Sequence, residues 1–315
     1  MRYSQNWIRE RDEPCISLGE PGAFDDRHVF APCVAHESGE YRMWYSGSRA
    51  EVAERVFALG LAVSNDGVHF SRHTNSPVLK FPDNTHSILT PSLLRNPDGS
   101  VLRESGKLRL WFSSCDFPSR DPLHTLHESS SQDGTSWSDP SRPLLENVYA
   151  PSVIREGDRY HMWFTDVGEE PWCFRYAESI NGVDWEVREE PVLKLNQEWE
   201  HQRLFYPTVL KRSAKFLMWY GSYSNSPGEE MTTALGFAKS TDGIHWAKNP
   251  GNPVFGPEPR HDWESHYTTS QSILQLPDGS LRIWYAARLK PPFVHKYFAI
   301  GTAKLTSTSP VGPLD

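Results

Sequence analysis

Four acidic residues at the borders of apolar segments have side chains that could transfer protons. In the order in which we rank them as catalytic candidates, they are Asp116, Asp166, Asp26 and Glu200. Two carboxyl groups in different surroundings can hold one proton and one negative charge at neutral pH, as general acid and base catalysis requires. Asp116 and Asp166 rank first because each lies within five residues after the Trp of its segment, where the other three Trp segments have no acidic residue.

Further polar residues near the same kinds of segment could bind a substrate. They are Arg49, His86, Arg203, Tyr223, His266 and Arg288. Guanidinium and imidazole groups bind hydroxyl groups and anions such as phosphate or carboxylate. His124 and His127 lie in a segment where no helix is expected, so their spacing does not indicate a metal site. We predict neither a metal nor a cofactor, since the chain also has no glycine-rich phosphate loop or dinucleotide motif in a usable context.

These residues must be positioned by strands, because one short pattern recurs along the chain. It occurs as SNDGVHF (64–70), SQDGTSW (131–137), SINGVDW (179–185) and STDGIHW (240–246). Asp-Gly and Asn-Gly are typical of the type I′ turn, whose twist matches the two strands that it joins. Each copy therefore predicts the tip of a hairpin, with a structural rather than a catalytic role.

Two more patterns recur in the same order, about every 60 residues. One is a strand around a Pro: VFAPCV (Pro32), ILTPSLL (Pro91), VYAPSVI (Pro151), LFYPTVL (Pro207) and YTTSQSIL, in which Gln271 takes the Pro position. The other is an apolar strand with a Trp: YRMWYSG (Trp44), LRLWFSS (Trp111), YHMWFTD (Trp163), FLMWYGS (Trp219) and LRIWYAA (Trp284). With a third strand, the turn and a short fourth strand, each unit is typical of one propeller blade.

The two ends of the chain complete the same pattern. The fifth unit ends after FAIGTAKL without a turn or a fourth strand, whereas the N-terminal QNWIRERDEPCIS parallels IHWAKNPGNPVF of the fourth unit. A strand donated by the N-terminus would cover the open edge of the last sheet. We predict an all-β protein with a single domain over residues 1–315, a five-bladed β-propeller with four antiparallel strands per blade, closed by the N-terminal strand.

In such a propeller the Pro strands line the central channel, and the residues before each Pro ring one mouth of it. A concave mouth on a rigid scaffold is the default place for a ligand. One pattern argues against part of the candidate list: Phe24-Asp25, Trp199-Glu200 and Trp263-Glu264 repeat with the blades. A repeated acid is typical of architecture, so a structural role for Glu200 stands beside the catalytic one. The five Trp residues are expected to pack between blades.

Bulk composition excludes several classes of function. The net charge of -8 and the lack of Lys or Arg blocks argue against binding to nucleic acid. The sequence has no run of 18 apolar residues and no N-terminal signal segment, so we expect a protein that does not act in a membrane. The 4 cysteines form no CxxC pair, which favours free thiols in a reducing compartment and therefore a cytoplasmic location.

These repeats, in particular APSVI followed by YHMWF and SxDGxxW, resemble the five-bladed propellers of glycoside hydrolase families 43, 32, 68 and 130. In the arabinanase and xylosidase group the resemblance implies catalytic acids at or near the Pro of the first, third and fourth blades. This sequence has Ala31, Ala150 and Phe205 at those positions. The mannoside phosphorylase group is similar in its DG turns and MWY strands, and its phosphate binding through basic residues would give Arg49, Arg203 and Arg288 a purpose.

The resemblance implies a carbohydrate-active enzyme, glycosidase or phosphorylase-like. Its substrate would be a small sugar or sugar conjugate, anionic or used with phosphate, bound at the channel mouth and processed by carboxylate acid/base chemistry. Because the acidic positions of the best-known group are empty, a non-catalytic sugar- or partner-binding propeller remains an alternative. A biosynthetic enzyme on the same scaffold is a further alternative, since fold does not determine function.

Overall fold

The computed structural model describes residues 3–225, 232–289 and 298–305. Two short strands begin the chain, β1 (Trp7–Arg9) and β2 (Ile16–Ser17). The first blade contains β3 (His28–Glu37), β4 (Glu40–Ser48), β5 (Ala58–Ser64) and β6 (Ser71–Arg72). The second contains β7 (Leu89–Leu93), β8 (Leu108–Ser114), β9 (Thr125–Ser131) and β10 (Leu145–Glu146).

The remaining blades continue in the same order. The third contains β11 (Val148–Glu156), β12 (Arg159–Asp166), β13 (Cys173–Ser179) and β14 (Glu186–Val187). The fourth contains β15 (His201–Arg212), β16 (Lys215–Tyr223), β17 (Thr233–Ser240) and β18 (Ala247–Lys248). The fifth contains β19 (Tyr267–Gln275), β20 (Leu281–Arg288) and β21 (Ala299–Leu305). Besides strands, the described chain has two single-turn 3-10 helices, Val52–Glu54 and Asp262–Glu264.

The N-terminus completes the last blade, as predicted. Strand β1 pairs antiparallel with β21 through Trp7↔Leu305 and Arg9↔Ala303, and β2 pairs with the same strand through Ile16↔Ile300. The five-bladed all-β fold with N-terminal closure is therefore confirmed. The domain prediction of 1–315 has both of its ends, residues 1–2 and 306–315, outside the described residues.

The Asp-Gly turns connect the third and fourth strands, but they are not type I′ turns. That turn needs positive φ at both central residues, and in each copy only the Gly has it: Gly67, Gly134, Gly182 and Gly243. Side-chain oxygens hold the turn instead. In the fourth blade Ser240 Oγ accepts from the Gly243 amide at 2.8 Å, and Asp242 Oδ1 accepts from two amides that follow. The Ser and Asp of the pattern are thus needed as hydrogen-bond acceptors.

The strand Trp residues join each blade to the next through these turns. The indole nitrogens of Trp44, Trp111, Trp163 and Trp284 donate to the carbonyls of Gly134, Gly182, Gly243 and Gly67, respectively. The described part of the fifth blade has no such turn, and Trp219 of the fourth blade donates at 3.1 Å to Oε1 of Gln5 in the N-terminal segment. All five indoles are fully buried, which confirms their structural interpretation.

A second ring of hydrogen bonds closes around the channel. It uses the residue after each Pro position: Cys33, Ser92, Ser152, Thr208 and Ser272. Each of these side chains bonds a backbone group in the inner strand of the next blade, as when Ser152 Oγ accepts from the Val209 amide at 3.0 Å. The Pro strands are therefore the inner strands. Within the described part of the chain, no helix is long and apolar enough to cross a membrane.

Candidate functional site

Every inner strand is interrupted one residue before its Pro position. The residues there have positive φ, between 42° and 56°: Ala31, Thr90, Ala150, Tyr206 and Ser270. The pairing with the second strand of the blade shifts at the same points. Such a bulge bends a strand and redirects its side chains. Residues up to and including the bulge line a cavity at one mouth, whereas residues from the bulge onward line the channel.

The cavity at this mouth is mainly aromatic. It is lined by Phe117, His124, Tyr149, Trp172, Arg203, Phe205, Tyr206, Tyr223, Thr233, Tyr267 and Arg288. Tyr149, Phe205, Tyr206 and Tyr267 come from inner strands, and Tyr223 and Arg288 end their Trp strands. None of these described lining residues is Asp or Glu. The mouth thus offers rings, hydroxyl groups and cations.

Two tyrosines in the lining of this cavity form a pair. The hydroxyl groups of Tyr149 and Tyr206 share a hydrogen bond of 2.5 Å, and the His124 ring lies 4.9 Å from the Tyr149 ring. Tyr206 lines both the mouth and the channel, so it separates the two cavities. A paired phenol can donate and accept hydrogen bonds, which suits recognition of a hydroxyl-rich ligand.

Two arginines stack on aromatic rings at the wall. The guanidinium carbon of Arg288 lies 3.6 Å from the centre of the Tyr267 ring, and that of Arg203 lies 4.2 Å from the Trp172 ring. Arg288 is buried, with 7% of its surface exposed, whereas Arg203 forms an ion pair with the exposed Glu170. Stacking holds a guanidinium group in one orientation, which favours directed binding of an anion.

The structure brings together half of the predicted binding residues. Arg203, Tyr223 and Arg288 line the mouth, and His266 is adjacent because its backbone amide donates to the Arg288 carbonyl at 3.4 Å. His86 lies in the exposed connection between the first two blades, where Nδ1 is 2.7 Å from Asp83 Oδ2. Arg49 is exposed and, like His86, is not part of the lining.

Asp116 is the catalytic candidate that directly adjoins the lining. It precedes Phe117 on the connection between β8 and β9. Its Oδ1 atom is buried and has no hydrogen-bond partner among the described residues. A buried carboxylate oxygen without a partner is costly, and such groups are typical of functional sites.

Asp166 and Asp26 have clear local partners. Asp166 accepts from Arg175 Nε at 2.6 Å and from the Gly168 amide at 3.0 Å. Asp26 accepts from the Gly22 amide at 2.7 Å through Oδ2, although its Oδ1 atom is buried without a partner among the described residues. Neither aspartate is part of the described lining of the mouth.

Glu200 lies inside the fourth blade, and both of its oxygens are occupied. Oε1 accepts from the Tyr220 hydroxyl at 2.7 Å, and Oε2 lies 2.6 Å from Lys248 Nζ. The same arrangement occurs twice more, with the outer-strand cations Arg72 and Arg9. It joins Asp25 to Tyr45 and Arg72 in the first blade, and Glu264 to Tyr285 and Arg9 in the fifth. This geometry favours the structural interpretation of Glu200.

Several lining residues were absent from the predicted site. They are Phe117, His124, Trp172, Phe205, Tyr206, Tyr149, Tyr267 and Thr233. Phe117, His124 and Trp172 come from connections that differ from blade to blade. His124 and His127 have separate surroundings, since His127 packs inside the second blade between Phe81 and Phe112. Within the described ranges no three metal-binding side chains cluster.

Comparisons with known proteins place this geometry in a structural class. No protein-family model matches the sequence. Two uncharacterised proteins from two strains of Mycobacterium tuberculosis are 24% identical to it over 223 residues, covering 66% of this chain and 72% of each relative.

Solved structures match over nearly the whole chain. A glycoside hydrolase has a TM-score of 0.74 at 14% identity, covering 94% of this chain and 92% of its own. A GH130 protein has a TM-score of 0.72 at 14% identity, covering 99% of this chain and 96% of its own. Its family is described as mannoside phosphorylases and contains glycoside hydrolases that target β-1,2 mannosidic linkages in Candida mannan. An N-acetylgalactosamine deacetylase from F. plautii, solved with blood group B trisaccharide, has a TM-score of 0.70 at 17% identity, covering 97% of this chain and 96% of its own. The chain has the fold of glycoside hydrolase-like five-bladed propellers.

Proposed function

We propose that this protein is a carbohydrate-active enzyme of the phosphorylase-like kind, which binds a small sugar or sugar conjugate at the aromatic mouth. The observation that carries the proposal is the pair of stacked arginines, Arg203 and Arg288, in a cavity otherwise lined mainly by aromatic rings. Aromatic rings pack against the apolar faces of sugars, and arginine binds phosphate with directed, charge-assisted hydrogen bonds. Structural neighbours described as acting on sugars support the carbohydrate-active part of this proposal.

The distribution of charge favours phosphorolysis over hydrolysis with two carboxylates. Hydrolysis of that kind needs two acidic side chains facing the scissile bond, and the described lining has none. In phosphorolysis a phosphate oxygen attacks the anomeric carbon, the glycosidic bond breaks, and the leaving oxygen takes one proton. Phosphate then supplies the nucleophile, so the protein needs cations for phosphate and a single acid.

Each group in the mouth has a role in this proposal. Arg288 and Arg203 hold the phosphate, and the Tyr149–Tyr206 pair orients sugar hydroxyls. Asp116 supplies the proton, because it is the candidate acid next to a lining residue and one of its oxygens has no described partner. Asp166 and Asp26 rank below it, since each is already held by local hydrogen bonds.

The protein would act in the cytoplasm, which its four free cysteines support.

One observation favours a second function, sugar binding without catalysis. The described lining contains no carboxylate, so the mouth could hold a ligand without transferring a proton to it. In that case the aromatic rings and arginines would act as a recognition site alone. Both functions use the same cavity, and turnover separates them.

The test is a screen of aryl glycosides with and without inorganic phosphate, together with calorimetric titration of the same sugars. We expect release of the aryl group to require phosphate. We expect Asp116→Asn to reduce turnover about 10²- to 10⁴-fold, the usual contribution of a general acid, while binding and melting temperature stay the same. The matched control is Asp121→Asn, an exposed acid on the same connection.

The alternative outcomes are distinct. Turnover without phosphate would replace phosphorolysis by hydrolysis. Binding without turnover would establish the recognition function, and failure of every sugar to bind would overturn the proposal. Equal losses in the Asp116 and Asp121 variants would remove Asp116 from the mechanism.

A further inference from the structure

The channel has a second, charged end on the side opposite the aromatic mouth. Its cavity has a volume of about 150 Å³, ample for an ion the size of phosphate, and Tyr206 separates it from the mouth. Three cations and one carboxylate face this end: Arg95, Arg155, Lys211 and Glu156. The charge of this lining is therefore positive.

Two of these cations are already neutralised. Lys211 Nζ lies 2.9 Å from Glu156 Oε1, and Arg155 forms an ion pair with Glu104. Arg95 differs from both, because it forms no ion pair with any described residue. Among the three cations at this end, Arg95 is therefore the one whose charge has no counter-ion in the described chain.

Among the described residues, only neutral acceptors hold Arg95 in place. It follows strand β7 of the second blade and reaches across the first blade to the fifth. It donates to the Val34 carbonyl, to Ser272 Oγ at 3.0 Å and to the Ile273 carbonyl at 3.3 Å. These bonds fix the guanidinium group at the channel wall, where the side chain is half-buried and lines the cavity. An arginine oriented in this way is prepared to bind an anion.

The position of Arg95 makes an uncompensated charge costly. Burial lowers the pKa of its guanidinium group, although arginine remains protonated in proteins. A partly buried ion without a counter-ion is unfavourable, and an anion bound beside it would offset that cost. Lys211 and Arg155 add an attractive field at the same opening.

We propose that the channel binds a small inorganic oxyanion, such as phosphate or sulfate, directly against Arg95. This site is independent of the sugar site proposed at the aromatic mouth, because the two cavities share one residue, Tyr206, and draw on different arginines. The bound anion would tie the second blade to the first and fifth through Arg95 and so stabilise the ring.

The test is thermal unfolding of the full chain over a series of inorganic phosphate concentrations, with ionic strength held constant. An anion that binds only the folded state raises the melting temperature as its concentration exceeds Kd. We expect Arg95→Met to weaken the phosphate dependence at least about tenfold, since a charge-assisted contact is lost. Arg142→Met, an exposed arginine outside the described linings of both cavities, should leave the dependence unchanged.

Two further measurements keep the outcome clear. Because phosphate is also proposed to bind Arg203 and Arg288 at the mouth, the titration is repeated in Arg288→Met. The part of the phosphate effect that Arg95→Met removes should remain in that variant, which separates this site from the mouth. Crystals of the unmodified chain soaked with selenate should show an anomalous peak beside Arg95, so the site can be judged even when Arg95→Met does not fold. An unchanged titration in Arg95→Met, or no peak at Arg95, overturns the proposal.

Discussion

Replacing Glu200 with Gln should destabilise the protein without removing a catalytic group. The Glu200 side chain is fully buried, and it lies 2.6 Å from Lys248 Nζ, whose side chain is only 5% exposed. It also accepts from the Tyr220 hydroxyl at 2.7 Å and from the amides of Asn196 and Gln197 at 2.9 and 3.1 Å. Gln has nearly the same shape but no charge, so the substitution leaves the Lys248 ammonium group without a counter-ion.

The magnitude follows from this burial. Breaking a buried ion pair by removing one partner costs about 3–5 kcal/mol. Burial already lowers the pKa of Lys248, and Glu200 opposes that shift, so loss of the carboxylate favours release of the Lys248 proton and limits the cost to this range. With an unfolding entropy proportional to 315 residues, the melting temperature should fall by roughly 4–8 °C.

Urea unfolding of the single and double variants measures the effect. Glu200→Gln should lower the free energy of unfolding, and adding Lys248→Met should restore at least about half of the loss, because the unpaired charge is then gone. Glu198→Gln, an exposed neighbour, is the matched control and should change little. The reasoning is refuted when Glu200→Gln keeps its stability within about 0.5 kcal/mol but loses turnover or sugar binding.

Two further predictions concern the second and fourth blades. Burial lowers the pKa of His127, which is hydrogen-bonded to Ser141, below its ordinary value of 6.5, so its neutral form contributes stability that is complete above pH 6.5 and is lost as the pH falls. The free energy of unfolding of His127→Gln should therefore depend less on pH between 7.5 and 5 than that of the unmodified protein. Equal pH slopes for the two proteins would contradict this. A Cβ atom at Gly236 would lie 2.5 Å from the Tyr220 ring, so Gly236→Ala should cost about 1–3 kcal/mol in urea unfolding, and unchanged stability would show that the ring can move aside.

The repeats made the fold predictable because every blade needs the same local parts. Each Pro position, each buried Trp and each Asp-Gly pair marks one fixed place in a blade, so order along the chain translates directly into order in the sheet. The N-terminal strand was predictable for the same reason: Arg9 matches Lys248 in the outer strand and binds Glu264 as Lys248 binds Glu200. The predicted turn type was wrong because the Ser and Asp side chains of the pattern accept hydrogen bonds from the backbone amides of the turn. These hydrogen bonds hold the turn in a conformation that is not type I′.

The site was predictable only where it uses the repeat. Arg203, Tyr223 and Arg288 could be placed because they lie at fixed distances from a Pro or a Trp. Trp172 and His124 could not, because they lie in connections between strands whose paths depend on packing with other blades. Long-range contacts of this kind have no local signal in one sequence.

Departure from the repeat alone does not identify a catalytic residue, and Asp166 shows why. Gly60, Gly236 and Gly301 face the Tyr after the Trp in the first, fourth and fifth blades. At the same place, Arg175 faces Phe164 in the third blade and His127 faces Phe112 in the second.

Arg175 departs from the pattern together with Asp166, and the two side chains are bonded at 2.6 Å. The exceptional acid of the third blade therefore has an exceptional base beside it, and packing within one blade is enough to account for both. Asp116 has no such compensating partner among the described residues, since its buried Oδ1 atom accepts no hydrogen bond. A departure that the blade itself does not balance is the stronger sign of a ligand, which is why Asp116 ranks above Asp166.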